Sequence, residues 1–215
     1  MSKTLKIALF GATGMIGSRI AAEAARRGHQ VSALVRNPQR VPEDTANIHA
    51  SQADLLDASS VAAAVRGHDV VASAYAPALD NTATLDAATR ALVAGVREAG
   101  LKRLVVVGGA GSLEVAPGKQ LVDAEGFPEA YKAVALAHRE ALNYYRTVSD
   151  LDWTFFAPAA MIAPGERTGQ FRTGAGTLIA DAAGTSRISA EDYAIAFVDE
   201  LEQARFVRQI ATVAY

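Results

Sequence analysis

Two periods of hydrophobicity alternate along the chain. Residues 5–10 (LKIALF) form a short apolar run with the length of a buried strand. The alanine-rich stretch 15–27 ends in Arg26-Arg27-Gly28, which predicts a helix closed by glycine. A second strand follows at 30–35 (QVSALV) and a weaker third within 47–55 (NIHASQADL). Residues 59–67 predict a short helix with a serine cap and a glycine stop, and 69–75 (DVVASAY) a fourth strand. Leu85, Leu92 and Val96 lie on one stripe of a helix over 81–99, stopped by Gly100. Residues 103–109 (RLVVVGG) form the clearest buried strand. Tyr131, Val134, His138, Ala141 and Tyr145 make the stripe of a helix over 128–148, and 152–158 (DWTFFAP) reads as a strand. A helix over 189–203 carries Ser189 and Asp192 in a capping-box arrangement, and 208–215 closes the pattern as a strand.

Continuous apolar strands joined by helices predict an α/β fold, a doubly wound parallel sheet covered on both faces, in a single domain over 1–215. Two segments, 109–127 and 157–187, break the rhythm with many Gly and Pro residues. Loops of that length are usually functional or contain hidden structure. Both follow strands, so both lie at the carboxyl edge of the sheet, where ligands bind in open α/β folds. Within the second, the sequence around Gly174-Ala175-Gly176 suggests a small hairpin.

Composition narrows the chemistry. The 215 residues are 50% hydrophobic and 20% charged, ordinary for a globular domain. Lys plus Arg number 21 and Asp plus Glu 23, a net charge of −2 without the basic excess expected of a nucleic-acid binder. There is no cysteine, which excludes disulfides, cysteine metal sites and thiol catalysis and is compatible with a cytoplasmic location. Lys3 and Lys6 precede an apolar stretch, but glycines break it within a few residues, so it reads as a strand rather than a signal peptide. No apolar run approaches the roughly 18 residues that span a bilayer. His29, His49, His68 and His138 show no metal-ligand spacing.

The sharpest feature is GATGMIG, residues 11–17, between the first strand and the first helix. Gly11 permits a tight turn, Gly14 leaves room for a bulky anion, and Gly17 lets the helix pack closely on the strand. The free N–H groups around Met15 and Ile16 then point at the anion, with the helix dipole behind them. Glycines three apart are a variant of the dinucleotide fingerprint, whose natural ligand is a pyrophosphate; the alternative is a tight strand–helix turn without a ligand. Arg36 follows the second strand, where an acid would hold the ribose diol of NAD. Arg36, with Arg40 nearby, instead offers a guanidinium suited to a 2′-phosphate, which favours NADP(H) with NAD(H) as the second choice. The alternative is a solvated surface arginine. Asp54-Leu55 can flank the adenine, or Asp54 can cap the next helix. Thr13, Ala74, Gly108 and Gly109 complete the candidate cofactor-binding set at the strand ends.

With GATGMIG, ALVRNP, Asp54-Leu55 and GGAGSL, the chain resembles an atypical short-chain dehydrogenase/reductase of the NAD(P)H-binding, NmrA-like kind, and more narrowly the bacterial NADH-flavin reductases of that group. The later stretch TGQFRTGAGTLIADAAGTSRISAEDYAIAFVDELE and the closing TVAY carry the likeness over essentially the whole chain. The resemblance implies a Rossmann fold and a nicotinamide cofactor. It also implies a chain segment passing the nicotinamide carboxamide at Pro158 and a catalytic serine just past the fifth strand, at Ser112, the alternative for Ser112 being a loop serine that makes a local turn. One departure matters. The superfamily carries a Tyr-x-x-x-Lys pair on the helix after the fifth strand, whereas here Tyr131 is followed directly by Lys132 and position 135 is Ala135. Adjacent helical residues point about 100° apart, so they cannot form the stacked pair. Tyr131 is then a packing residue, Lys132 either reaches the nicotinamide ribose or is solvated, and His138 is a packed core histidine.

These expectations converge on an NADPH-dependent oxidoreductase that passes hydride to a planar acceptor such as a flavin or quinone. The flavin would be a substrate rather than a prosthetic group, and neither nucleic acid nor a membrane is involved. The alternative is a non-catalytic NADP(H)-binding redox sensor; a third option is an epimerase or dehydratase holding NAD tightly.

Overall fold

The computed structural model describes residues 3–40 and 47–215. In chain order the strands are β1 (Lys6–Phe10), β2 (Gln30–Val35), β3 (Ile48–Gln52), β4 (Val70–Ser73), β5 (Arg103–Val107), β6 (Glu114–Ala116), β7 (Lys119–Gln120), β8 (Asp152–Ala157), β9 (Met161–Ala163), β10 (Arg172–Ala175), β11 (Arg187–Ser189) and β12 (Gln209–Ala214). The helices are α1 (Met15–Arg26), α2 (Ala58–Val65), α3 (Thr84–Glu98), α4 (Glu129–Arg146) and α5 (Ala190–Gln203).

Eight strands form one sheet in the order β10-β12-β8-β5-β4-β1-β2-β3. All pairings are parallel except β10 with β12. The order reverses direction between β1 and β4, and the carboxyl ends on either side of that switch form the crevice. This is a Rossmann fold. Successive β1 residues explain why the run is wholly apolar. Ile7 and Leu9 enter a core with Ile20, Phe156 and Phe197 under α1 and α5. Ala8 and Phe10 enter a second core with Val61, Leu92 and Leu142 under α2, α3 and α4. With both faces covered, each strand residue faces an apolar layer and no polar alternation survives. β3 is the exception: its residues beyond Ile48 are exposed at the sheet edge, which is why its signal is weak.

Three local expectations are corrected. The α2 cap is Asp57, whose carboxylate accepts from the Ser59 N–H, rather than a serine. Residues 172–175 form no local hairpin; they pair antiparallel with β12, closing the sheet edge, so the sheet is not wholly parallel. Beyond Gly176 the chain turns instead toward the other long loop. There Glu114 N–H donates to the Gly176 carbonyl at 2.8 Å and Leu178 N–H donates to the Glu114 carbonyl at 2.9 Å. The two long segments thus hold structure of their own, as their length allowed: they are stitched together and carry the short ladders β6–β7 and β9–β11.

Charged groups fix the second segment. Glu23 of α1 is buried and accepts from Arg26, Arg27 and Arg167. Burial raises its carboxyl pKa, but the three guanidinium hydrogen bonds outweigh it and hold the group down at about 2. Asp192, fully buried at the start of α5, accepts from Thr168 Oγ1, the Gly169 N–H and the Tyr215 hydroxyl.

Candidate active site

The β1–α1 corner is built by backbone. Gly11 has φ +76°, and a Cβ there would sit 2.6 Å from the Ala74 carbonyl carbon. A Cβ on Gly17 would lie 2.0 Å from the Gly11 carbonyl oxygen, so α1 reaches the strand only because position 17 has no side chain. Gly14 differs: its nearest neighbour to an added Cβ is the Gly11 oxygen at 3.5 Å, an ordinary contact on an otherwise open side. Gly14 is also the N-cap of α1, with no side-chain cap and no acidic residue in the first turn. The amides of Met15, Ile16 and Gly17 have no carbonyl four residues back within the helix. They are left as donors at the positive end of the helix dipole.

A cavity of about 370 Å³ opens in front of this corner, lined by Gly11, Thr13, Gly14, Arg36, Asp54 and Ala74. Met15 is exposed, and Ile16 packs against the core. Arg36 is exposed, and its guanidinium makes no hydrogen bond or ion pair among the described residues; the Arg40 side chain lies outside them. Asp54 does not cap α2. Its Oδ1 accepts from the Leu56 N–H at 2.9 Å, which tightens the loop and sets buried Leu55 into the cavity wall.

A second cleft, of about 700 Å³, lies over the carboxyl ends of β5 and β8 and is walled by Gly109, Phe127, Tyr131, His138, Pro158 and Met161. Of the sequence candidates, Gly109 and Pro158 line this cleft. Three others do not. Gly108 is buried against Phe155, whose ring would lie 2.2 Å from an added Cβ, so this glycine serves packing. Ser112 is buried, its Oγ has no partner among the described residues, and it does not line the cleft. Lys132 faces solvent on α4, its ammonium 3.8 Å from Glu129, and also does not line the cleft. Tyr131 stands 57% exposed at the cleft mouth, a packing residue at the lip.

His138 is the residue the sequence undervalued. It is buried, as expected, but in the cleft wall. Its Nδ1 has no hydrogen-bond partner among the described residues. Its ring meets Phe155 edge-on with centroids 6.2 Å apart, and burial pushes its pKa down to about 4, so it is neutral near pH 7. A signal was present: His138 lies seven residues, two helical turns, beyond Tyr131 on the same stripe.

A family described as NAD(P)H-binding matches residues 11–204. The chain belongs to the NAD(P)H-binding family. A crystal structure of a "putative exported protein" from Burkholderia pseudomallei is 71% identical, with TM-score 0.92, covering 99% of this chain and 100% of that one. A "putative epimerase" from Bacteroides thetaiotaomicron is 39% identical with TM-score 0.92, covering 99% and 98%. A "putative NADH-flavin reductase" from Streptococcus pneumoniae is 31% identical with TM-score 0.85, covering 98% and 99%.

The family's nicotinamide dinucleotide fits the residues present. The uncapped turn at Met15–Gly17 offers amides to a pyrophosphate, and the bare Gly14 leaves it room. Among the described residues no cluster of His, Asp or Glu is arranged to hold a metal, and no helix is long and apolar enough to cross a membrane.

Proposed function

We propose that this member of the NAD(P)H-binding family is an NADPH-dependent reductase that transfers hydride to a planar acceptor, a flavin or quinone taken as substrate. The observation that carries the reading is the presence of two spaces along the carboxyl edge of one sheet. One is a cavity with an uncapped helix N-terminus and Arg36, suited to a phosphorylated nucleotide. The other is an apolar cleft beyond it, under Pro158 and His138. The bound cofactor would supply hydride from its reduced nicotinamide, leaving NADP⁺, and one proton from water would complete the two-electron reduction of the acceptor.

Arg36 would recognise the 2′-phosphate, and Asp54-Leu55 would border the adenine. Pro158 and Gly109 would frame the nicotinamide end, and the loops 109–127 and 157–187 would press the acceptor ring against it. Catalysis would come from parallel placement and exclusion of water rather than from a strong acid. That suits a cleft that neither Ser112 nor Lys132 reaches. His138 would contribute a neutral imidazole to the wall beside the acceptor. The description of the Streptococcus relative agrees with this reaction class. The experiment is a steady-state assay of NADPH consumption with menadione, riboflavin and FMN. A rate proportional to enzyme concentration is expected with at least one acceptor.

The same missing Tyr–Lys pair favours a second reading, a redox sensor, for which tight NADPH binding with no turnover across the panel would decide. Cofactor retained through purification would instead favour an epimerase-type reaction, the class named for the Bacteroides relative.

A further inference from the structure

We infer that the acceptor cleft selects an uncharged planar acceptor, a quinone or an unphosphorylated isoalloxazine, and discriminates against phosphate-bearing flavins. This rests on the reductase reading and concerns only what the cleft admits.

The wall is apolar where a ring would lie: Leu121, Phe127, Tyr131 and Met161 surround the space, and Tyr131 and Met161 are more than half exposed to it and to solvent. Its one ionised lining group is a carboxylate, Glu125 at the mouth, which makes no ion pair among the described residues. No lysine or arginine lines the cleft. The nearby cations are turned to other work. Lys132 sits by Glu129, and Arg139 donates two hydrogen bonds of 2.9 Å to Asp123. Arg187 lies in a separate cavity beyond Met161, its guanidinium 5.6 Å over the Tyr215 ring. The polar atoms of His138 belong to a neutral ring, which meets a carbonyl well and a phosphate dianion poorly.

A phosphate tail leaving this cleft therefore finds no partner, and it passes a carboxylate. For a dianion and an exposed carboxylate several ångströms apart, Coulomb's law in water with physiological screening gives roughly a two- to fivefold penalty. Uncharged acceptors do not incur it.

The test compares KM for menadione, riboflavin and FMN at saturating NADPH in low and high salt. Direct binding of riboflavin and FMN to the NADP⁺-loaded protein, read by flavin fluorescence, accompanies it. The expected result is an FMN KM and Kd about two- to fivefold above those of riboflavin at low salt. The gap should close in high salt and in Glu125→Gln, and persist in Arg187→Ala. FMN binding as well as or better than riboflavin overturns the inference. If that FMN advantage also disappears in Arg187→Ala, the phosphate crosses Met161 to the neighbouring cavity. Absence of turnover with all three acceptors defeats the reductase reading instead, while the binding arm still reads the charge preference.

Discussion

The two glycines Gly14 and Gly17 sit one helical turn apart at the same corner, and the structure separates their roles so cleanly that one substitution at each makes a paired test. Alanine at 17 places a Cβ 2.0 Å from the Gly11 carbonyl oxygen and 2.8 Å from its carbon. A carbon and a carbonyl oxygen ordinarily approach to roughly 3.3 Å, so α1 must lift by about 1 Å against backbone that cannot swing aside. Overpacking of this kind costs about 1–3 kcal/mol. The gain in helix propensity offsets about 1 kcal/mol. The net is about 2 kcal/mol at the upper end, a fall in Tm of about 4–8 °C for a chain of this size.

Valine at 14 meets nothing closer than the Gly11 oxygen at 3.5 Å from its Cβ, and the backbone there (φ −77°, ψ 169°) suits any L-residue. Its folding cost is that of a poor N-cap, under about 1 kcal/mol. Its side chain, however, would stand in front of the first-turn amides. Two charge-assisted hydrogen bonds lost at about 1.5–3 kcal/mol each correspond to a loss in NADPH affinity of at least about 100-fold. Thermal melts and titration calorimetry on the two variants read both axes. Gly14→Val with wild-type affinity would place the anion elsewhere; Gly17→Ala with a wild-type melt would show that the corner is not close-packed.

Three further outcomes are expected. Arg36→Ala should weaken NADPH about 10- to 100-fold and NADH less than about twofold, measured by calorimetry; equal losses would remove the 2′-phosphate assignment. His138, held by burial at about 4 against the usual 6.5 of an imidazole, binds its proton more readily unfolded than folded. Its contribution is therefore complete above pH 6.5 and lost as pH falls toward 4, by about 3 kcal/mol in denaturant titrations, and His138→Gln should flatten that window. Glu200 is fully buried and accepts from Arg103, whose side chain is mostly buried beside it. Glu200→Ala leaves that guanidinium unpaired and should cost about 3–5 kcal/mol in chemical denaturation, without changing NADPH affinity.

The parallel strands were legible because burial on both faces leaves continuous apolar runs, as at Ile7–Phe10 and Leu104–Val106. The glycine corner between β1 and α1 was legible for a related reason. Backbone geometry there tolerates few residues, and both the positive φ at Gly11 and the contact at Gly17 leave a mark in the sequence. The acceptor side was not, because its geometry depends on partners distant in the chain. Ser112 looks like a loop serine near a strand end, and only the fold of the 110–112 turn shows its side chain buried away from the cleft. Lys132 and His138 occupy the same helix, and a shift of about 100° per residue decides which faces solvent and which the cleft. The residues of β10 looked like half of a hairpin because the competing partner, β12, lies some forty residues later.

The two halves of the site are thus made of different material. On the proposed reading the nucleotide half rests on the amides and glycines of the β1–α1 corner, where Gly11 and Gly17 cannot change without disturbing the fold, and on exposed Arg36, which has no ion pair among the described residues. The acceptor half is made of side chains on segments held from outside: Arg167 to Glu23, Thr168 and Gly169 to Asp192, and Gly176 and Leu178 to Glu114. None of these anchoring side chains lines the acceptor cleft. The loops are therefore positioned by one set of residues and shaped by another. Substitutions at Phe127, Tyr131 or Met161 should change which acceptor is taken while leaving both the position of the loops and the grip on the nucleotide intact.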